Sequence, residues 1–393
     1  MKNKLVLGLC LTALAVFLAA CGGGDAQQAV ADLSAQVSDL EAQLEEAKSM
    51  AADAEAALDE AMAMEDEGGD EAMAASADTL ADVQARGVLN CGVPAGVSPG
   101  FGFIEDDGSY TGFDYDFCRV VAAAVLGDAD AVEVRPTSST ERFPVLQSGE
   151  VDLLVRQTTW TLSRDTALGF NFVATTYYDG QGMMVRADSG IESLEDLDGG
   201  TVCVAAGTTT EKNLADVFRQ LGIEYEAVVF DEPDAPRATY DEGRCDGWTT
   251  DKSGLVSGIV LMSDPSEHTI LAETMSKEPL GPLVRHGDDN WFDIVQWSTL
   301  CTMEAEELGI TSANVDEMLG SDNPKVLNTL GVEGDLGQAM GLNNDFCYQI
   351  IKQMGNYEEI YLENLGPDTP FNLARGVNSL WTQGGLLYSP PFR

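Results

Sequence analysis

Hydrophobic and polar positions follow two different periods along this chain. Leu5 to Ala20 is apolar apart from Thr12. Val30, Leu33, Val37, Leu40 and Leu44 then recur at spacings of three and four, and Ala47, Ala51, Ala54 and Leu58 continue the stripe. Such an a/d seam predicts helix. Residues 21–78 are therefore expected to form a coiled-coil-like stalk that pairs with copies of itself or stands as an acidic spacer. A disordered acidic linker is the competing reading, because the seam fades to alanine after Leu44. Glu65 to Glu71, with Gly68-Gly69, reads as a flexible joint.

From residue 79 onward the pattern changes. Val88–Val93, Val132–Arg135 and Val151–Val155 read as strands, and Glu141–Ser148 as a helix. Asp114–Leu126 reads as an amphipathic helix, with Phe117, Val120, Val121, Ala124 and Val125 on one side. Thr201–Ala205, Glu211–Leu221 and Ala227–Phe230 repeat the alternation, followed by a strand-like Arg244–Trp248. Alternating β and α elements predict open, mostly parallel sheets, which bind ligands beyond the carboxyl ends of their strands.

Composition narrows the function. The 393 residues carry 66 acids against 21 bases, so a nucleic acid would be repelled. Two histidines leave little material for a His-based metal site or a Ser-His-Asp triad. There is no GxGxxG after a strand, no GxxxxGK[ST] and no GxSxG. No metal site, cofactor or catalytic residue is expected.

The N-terminus addresses the protein. Lys2 and Lys4 precede the apolar run, which is short for a membrane span and reads as a signal peptide over 1–20. Leu18-Ala19-Ala20-Cys21-Gly22 resembles the bacterial lipoprotein box. That resemblance implies lipidation of Cys21 and a lipid-anchored protein in the periplasm or on the cell surface. Six further cysteines remain: Cys91, Cys118, Cys203, Cys245, Cys301 and Cys347. They allow fifteen pairings. They fall as three regional pairs, and local pairing is the simplest expectation for an exported protein. Buried free thiols are the alternative.

Gly112-Phe113-Asp114-Tyr115-Asp116-Phe117 resembles the signature of solute-binding proteins of polar amino-acid ABC transporters. Thr158-Thr159-Trp160-Thr161-Leu162-Ser163-Arg164-Asp165, Gly207-Thr208-Thr209-Thr210-Glu211, Thr249-Thr250-Asp251-Lys252-Ser253-Gly254 and Ser276-Lys277-Glu278-Pro279-Leu280-Gly281-Pro282 look like the general L-amino-acid-binding subgroup. The resemblance covers residues 80–393 and not the stalk. It implies a bilobal periplasmic-binding-protein-like α/β fold. Lobe 1 would comprise 79–179 and 281–393, and lobe 2 would comprise 180–280. Two hinge crossings, near Tyr178–Gly182 and Ser276–Gly281, would let the lobes close on one amino acid for delivery to an ABC permease.

The same resemblance assigns the ligand contacts. Arg164 would take the α-carboxylate, whose planar geometry matches a guanidinium fork. The plain reading is a surface Arg paired with Asp165. Thr159 would add a hydroxyl or amide. Thr208 and Thr209 form a capping-box pattern whose helix end suits the same anion. Asp251 would accept the α-ammonium. Phe101, Phe103 and Trp160 are candidate apolar walls or, equally, core residues. Arg156 would meet an acidic side chain or pair with a neighbour. The loop Pro94–Phe101 is small and neutral, which argues against a site for cationic ligands only. Alternatives to transport are a periplasmic lyase or dehydratase on the same fold, and an amino-acid sensor lipoprotein.

Overall fold

Short apolar runs, each closed by a turn and mostly followed by a helix, fold into two five-stranded mixed sheets. The computed structural model describes residues 78–393. The expected signal peptide, the lipidated Cys21 and the stalk lie outside the described residues.

The first sheet has the order β5–β1–β6–β15–β7, built from β1 (Leu89–Pro94), β5 (Val132–Thr137), β6 (Leu153–Leu154), β7 (Phe170–Phe172) and β15 (Leu283–Arg285). β1 runs parallel to β5 and β6, whereas β15 is antiparallel to β6 and β7. The second sheet has the order β11–β10–β12–β9–β13. Its strands are β9 (Gln181–Arg186), β10 (Gly200–Ala205), β11 (Tyr225–Phe230), β12 (Gly247–Asp251) and β13 (His268–Ile270). β10 is parallel to β11 and β12, and β9 runs antiparallel to β12 and β13.

A two-stranded ribbon joins the sheets. β8 (Tyr177–Asp179) pairs antiparallel with β14 (Glu278–Leu280), and Gly180 alone separates β8 from β9. Both chain crossings therefore run side by side. A small three-stranded sheet of β2 (Val97–Ser98), β3 (Gly102–Ile104) and β4 (Tyr110–Thr111) sits next to the first sheet's leading strand.

Helix α1 (Thr79–Arg86) leads into β1, and α2 (Phe113–Leu126) follows β4. Gly112 opens α2 at φ 130°, where a Cβ would lie 2.3 Å from the carbonyl of Phe101, so only glycine fits. The sequence pattern gives α2 one apolar face. In the fold Asp114, Asp116, Cys118, Ala122 and Ala123 are buried as well. The second face is covered by helices the β/α alternation did not announce: α7 (Asp289–Glu307), α11 (Phe346–Met354) and α12 (Tyr357–Leu365). Between α7 and α11 lie the short helices α8 (Val315–Met318), α9 (Pro324–Thr329) and α10 (Leu336–Ala339). Phe117, Val121, Ile294, Ile350, Tyr357 and Tyr361 share that core.

Three disulfides staple the elements, each between regional neighbours. Cys91–Cys118 ties β1 to α2, Cys203–Cys245 ties β10 to the turn before β12, and Cys301–Cys347 ties α7 to α11. Most strand boundaries shift by one or two residues, and two differ more. Only Leu153 and Leu154 of the expected Val151–Val155 count as strand. The strand expected at Arg244–Trp248 begins at Gly247 and runs through Asp251, because its ladder is set by β9, with Gly247 opposite Val185 and Asp251 opposite Gln181.

Candidate functional site

Beyond the carboxyl ends of β5, β6, β10 and β12 lies a cavity of about 130 Å³, the place where such sheets bind ligands. The first sheet's loops contribute Ser139, Arg142, Arg156, Gln157 and Thr159. The second contributes Ala205, Thr208, Thr209 and Thr210 after β10, and Thr249, Thr250 and Asp251 on β12. Val97 and Ser98 close one side, from the loop whose small neutral residues the sequence singled out.

The second sheet offers a helix end. Thr208 caps α4 (Thr209–Leu221), its hydroxyl accepting from the Glu211 N–H at 3.0 Å. The Glu211 carboxylate reaches back to the Gly207 N–H at 2.9 Å, one residue beyond the Thr208 N–H that a reciprocal capping box would use. Thr209 and Thr159 meet across the cleft, their hydroxyls 3.2 Å apart. Both also donate to Oε2 of Glu278, Thr159 at 2.5 Å and Thr209 at 3.0 Å. Asn213 donates to the other oxygen at 2.7 Å, and Ser276 adds a further donor. Glu278 is buried on β14. It is a site residue that sequence reasoning missed: its segment reads as a subgroup motif and a hinge crossing, with no ligand-site role for Glu278 itself.

Asp251 ends β12 and is 8% exposed. Its Oδ1 has no partner among the described residues. Burial pushes this carboxyl well above the usual range, and the nearby charges of Asp179 and Glu278 push the same way. Arg142 and Arg164 oppose that shift. An ammonium arriving at Oδ1 would relieve both the repulsion and the missing hydrogen bond.

Three arginines face these acids, Arg142 and Arg164 buried and Arg156 half-buried. Arg164 sits in a short wide turn, Ser163–Ala167, and its Nη1 donates to the Thr159 carbonyl at 2.8 Å. Its guanidinium lies 5.2 Å from the centre of the Phe143 ring. It thus stands behind Thr159 rather than on the cavity wall, and it does not pair with Asp165, whose carboxylate accepts from Trp160 Nε1 at 2.6 Å. Arg142, on α3 (Arg142–Gln147), lies on the wall itself. Sequence reasoning did not mark it, since a lone Arg after a strand carries no distinguishing signal. Burial pushes its pKa well down. Arg156 donates to the Thr137 carbonyl at 3.0 Å and to Ser139 Oγ at 3.1 Å. Burial lowers it to about 10, against the favourable charge of Asp114. Asp114 accepts from the Gln157 N–H at 2.6 Å, and burial raises it to about 7.

The expected aromatic walls lie elsewhere. Phe101 is 1% exposed and packs edge-on against Tyr177 and Phe113, with ring centres 5.4 and 6.0 Å away. The chain at Phe101 is held to α2 by the Asp114 N–H, which donates to its carbonyl at 3.0 Å, so the ring points into the core. Phe103 borders a different groove, with Pro99, Val260 and Phe371. Trp160 is 41% exposed and lies flat on Phe172 at 5.7 Å, outside the cavity lining. The walls nearest the ligand space are mostly polar, the apolar exceptions being Val97, Ala205, Trp248 and the prolines Pro233 and Pro236.

Comparison with known proteins gives one consistent result. The model of bacterial extracellular solute-binding proteins, family 3, matches residues 89–310. The general L-amino acid-binding periplasmic protein AapJ of Rhizobium johnstonii is 52% identical over 324 residues, 82% of this chain and 95% of its own. The glutamate/glutamine/aspartate/asparagine-binding protein BztA of Rhodobacter capsulatus is 50% identical over 323 residues, with the same coverage of 82% and 95%. Among solved structures, a periplasmic binding protein from Brucella ovis with glutathione bound aligns with a TM-score of 0.79 and 49% identity. That alignment covers 80% of this chain and 99% of the other.

Proposed function

The chain belongs to the bacterial extracellular solute-binding proteins of family 3, and on that premise we propose that it captures L-amino acids of several side-chain kinds outside the cytoplasm and hands them to an ABC permease. One observation carries the reading: Asp251, buried and with one carboxylate oxygen unpartnered among the described residues, faces Arg142 and Arg156 across a cavity between two sheets. A free amino acid presents an ammonium and a carboxylate, the two charges this arrangement complements.

In this reading Asp251 takes the α-ammonium. The α-carboxylate lies against the end of α4, at Thr208 and Thr209, and against Thr159, and Arg164 reaches it from behind Thr159 once its Nη1 leaves the Thr159 carbonyl. A guanidinium reaches a carboxylate with two parallel N–H donors, which fixes orientation as well as charge. Residues 79–179 with 281–393 form one lobe and 180–280 the other, and the β8–β14 ribbon is the hinge. Contacts already cross the cleft, since Arg142 Nη2 donates to the Gly207 carbonyl at 3.4 Å and Thr159 and Thr209 share Glu278 Oε2 as acceptor, which fits a closing motion. Cys21 carries the lipid anchor and the stretch 21–78 spaces the binding unit from the membrane.

Titration calorimetry of the chain against the twenty L-amino acids tests this. Several should bind and none should be chemically changed, with sugars giving no heat. Binding of a single amino acid, or of sugars instead, would remove the reading.

A further inference from the structure

Arg142 and Arg156 are more than the α-carboxylate clamp requires. Arg119, Arg135, Arg237 and Arg375 each meet a carboxylate within 3.2 Å. Arg142 and Arg156 form no such ion pair among the described residues. Both line the cavity. Arg142 is 2% exposed, and among the described residues its Nε has no partner and its side chain's one hydrogen bond is the long one to Gly207. Its guanidinium rests 4.8 Å from the centre of the Phe143 ring, so one face is covered by an aromatic surface. Arg156 spends two of its five donors on Thr137 and Ser139. A buried guanidinium left short of acceptors is costly, and an anion placed against it recovers that cost.

The nearby acids are already committed. Glu278 accepts from Thr159, Thr209, Asn213 and Ser276. Asp114 accepts from the Gln157 N–H. Asp251 is the group the ligand's ammonium needs. The acceptor missing from the wall is therefore one the ligand brings.

We propose that Arg142 and Arg156 form a second anion site within the cavity, so that amino acids carrying a side-chain carboxylate, glutamate and aspartate, are held more tightly than their amides. The inference rests on the amino-acid-binding reading above and names the ligand class that site favours. A carboxylate accepts from both guanidinium groups and carries the charge they lack. The amide of glutamine offers one acceptor oxygen and turns its NH₂ toward further donors. Glutamine still fits, so breadth is kept while the order of affinities is set.

Calorimetry on the full chain with L-glutamate, L-glutamine and L-leucine decides the matter. In the wild type, glutamate should bind at least about tenfold more tightly than glutamine, in line with a hydrogen bond to a charged group. Arg142→Gln and Arg156→Gln should each bring the glutamate-to-glutamine ratio to within about threefold of one. Equal affinities in the wild type would overturn the proposal without any variant, and so would variants that lose both ligands alike. If the wild type binds none of the three, the binding reading itself fails and this site with it.

Discussion

Asp251 concentrates the physical tension of the site. It is a buried acid beside two other acids, Asp179 and Glu278, and one of its oxygens is unpaired among the described residues. An ammonium is worth most in such a place, because a charge-assisted hydrogen bond replaces an unsatisfied buried one. Asp251→Asn keeps the shape and removes the charge. It should weaken binding of a neutral amino acid by about ten- to a hundredfold. The deaminated analogue of the same ligand should lose nothing further, and calorimetry with both ligands checks the pair. Equal losses for both would place the ammonium elsewhere. Asp251 could be proposed from the sequence only because its surrounding motif resembles a known one; one Asp among 66 acids has no signal of its own. Phe101 shows the converse. An aromatic residue after a strand reads equally as ligand wall or core, and the choice was made by Gly112, which lets the chain approach Phe101 and turns its ring inward. Arg142 and Glu278 were silent because their role depends on neighbours far away in the chain.

At the scale of elements, local periodicity located most strands and helices to within a few residues, including β1, β10 and α4. It misjudged α2, since the polar positions Asp114 and Asp116 are buried under α12 and the loop at Gln157, which supply partners to both carboxylates: Asn364 Nδ2 donates to Asp116 at 2.7 Å. Amphipathicity read from one helix cannot announce a second covering layer. The hinge glycines also carry a different meaning from flexibility. Gly281 has no left-handed backbone; a Cβ there would lie 1.9 Å from the carbonyl oxygen of Ala174. Backbone cannot yield as a side chain does, so the residue marks a close crossing of two segments rather than a loose joint. Gly281→Ala should therefore destabilise the protein by about 1–3 kcal/mol. Gly320→Ala is the matched control, since its nearest atom is 3.6 Å away, and it should change stability by about 0.5 kcal/mol or less. Urea unfolding of both variants measures the difference. Equal stability would return Gly281 to the role of a flexible hinge.

Across the whole molecule the dominant feature is charge. Of 66 acids and 21 bases, 50 and 18 lie in residues 79–393, a formal net charge of −32. The ion pairs do little to offset this. Arg219–Asp216, Arg244–Glu242 and Lys352–Asp316 are on the surface, where such pairs each contribute about 0–1 kcal/mol. The uncompensated acids repel one another in the folded state, more than in the expanded chain, because folding brings them closer. Salt shortens the reach of that repulsion, from about 10 Å at 0.1 M to about 3 Å at 1 M. Buried groups are screened much less, so the Asp251 and arginine contacts should respond weakly, and a zwitterion adds no net charge on binding. The melting temperature is accordingly expected to rise as NaCl increases from 10 mM to 1 M, while affinity for a neutral amino acid changes little. Glutamate, if held at the second anion site, brings a net negative charge to a negative protein, and its association should speed up with salt where that of leucine does not. Thermal unfolding and calorimetry across the salt series measure the first two effects. A melting temperature that falls with salt would mean that surface ion pairs outweigh the repulsion, and the acidic surface would then need another account.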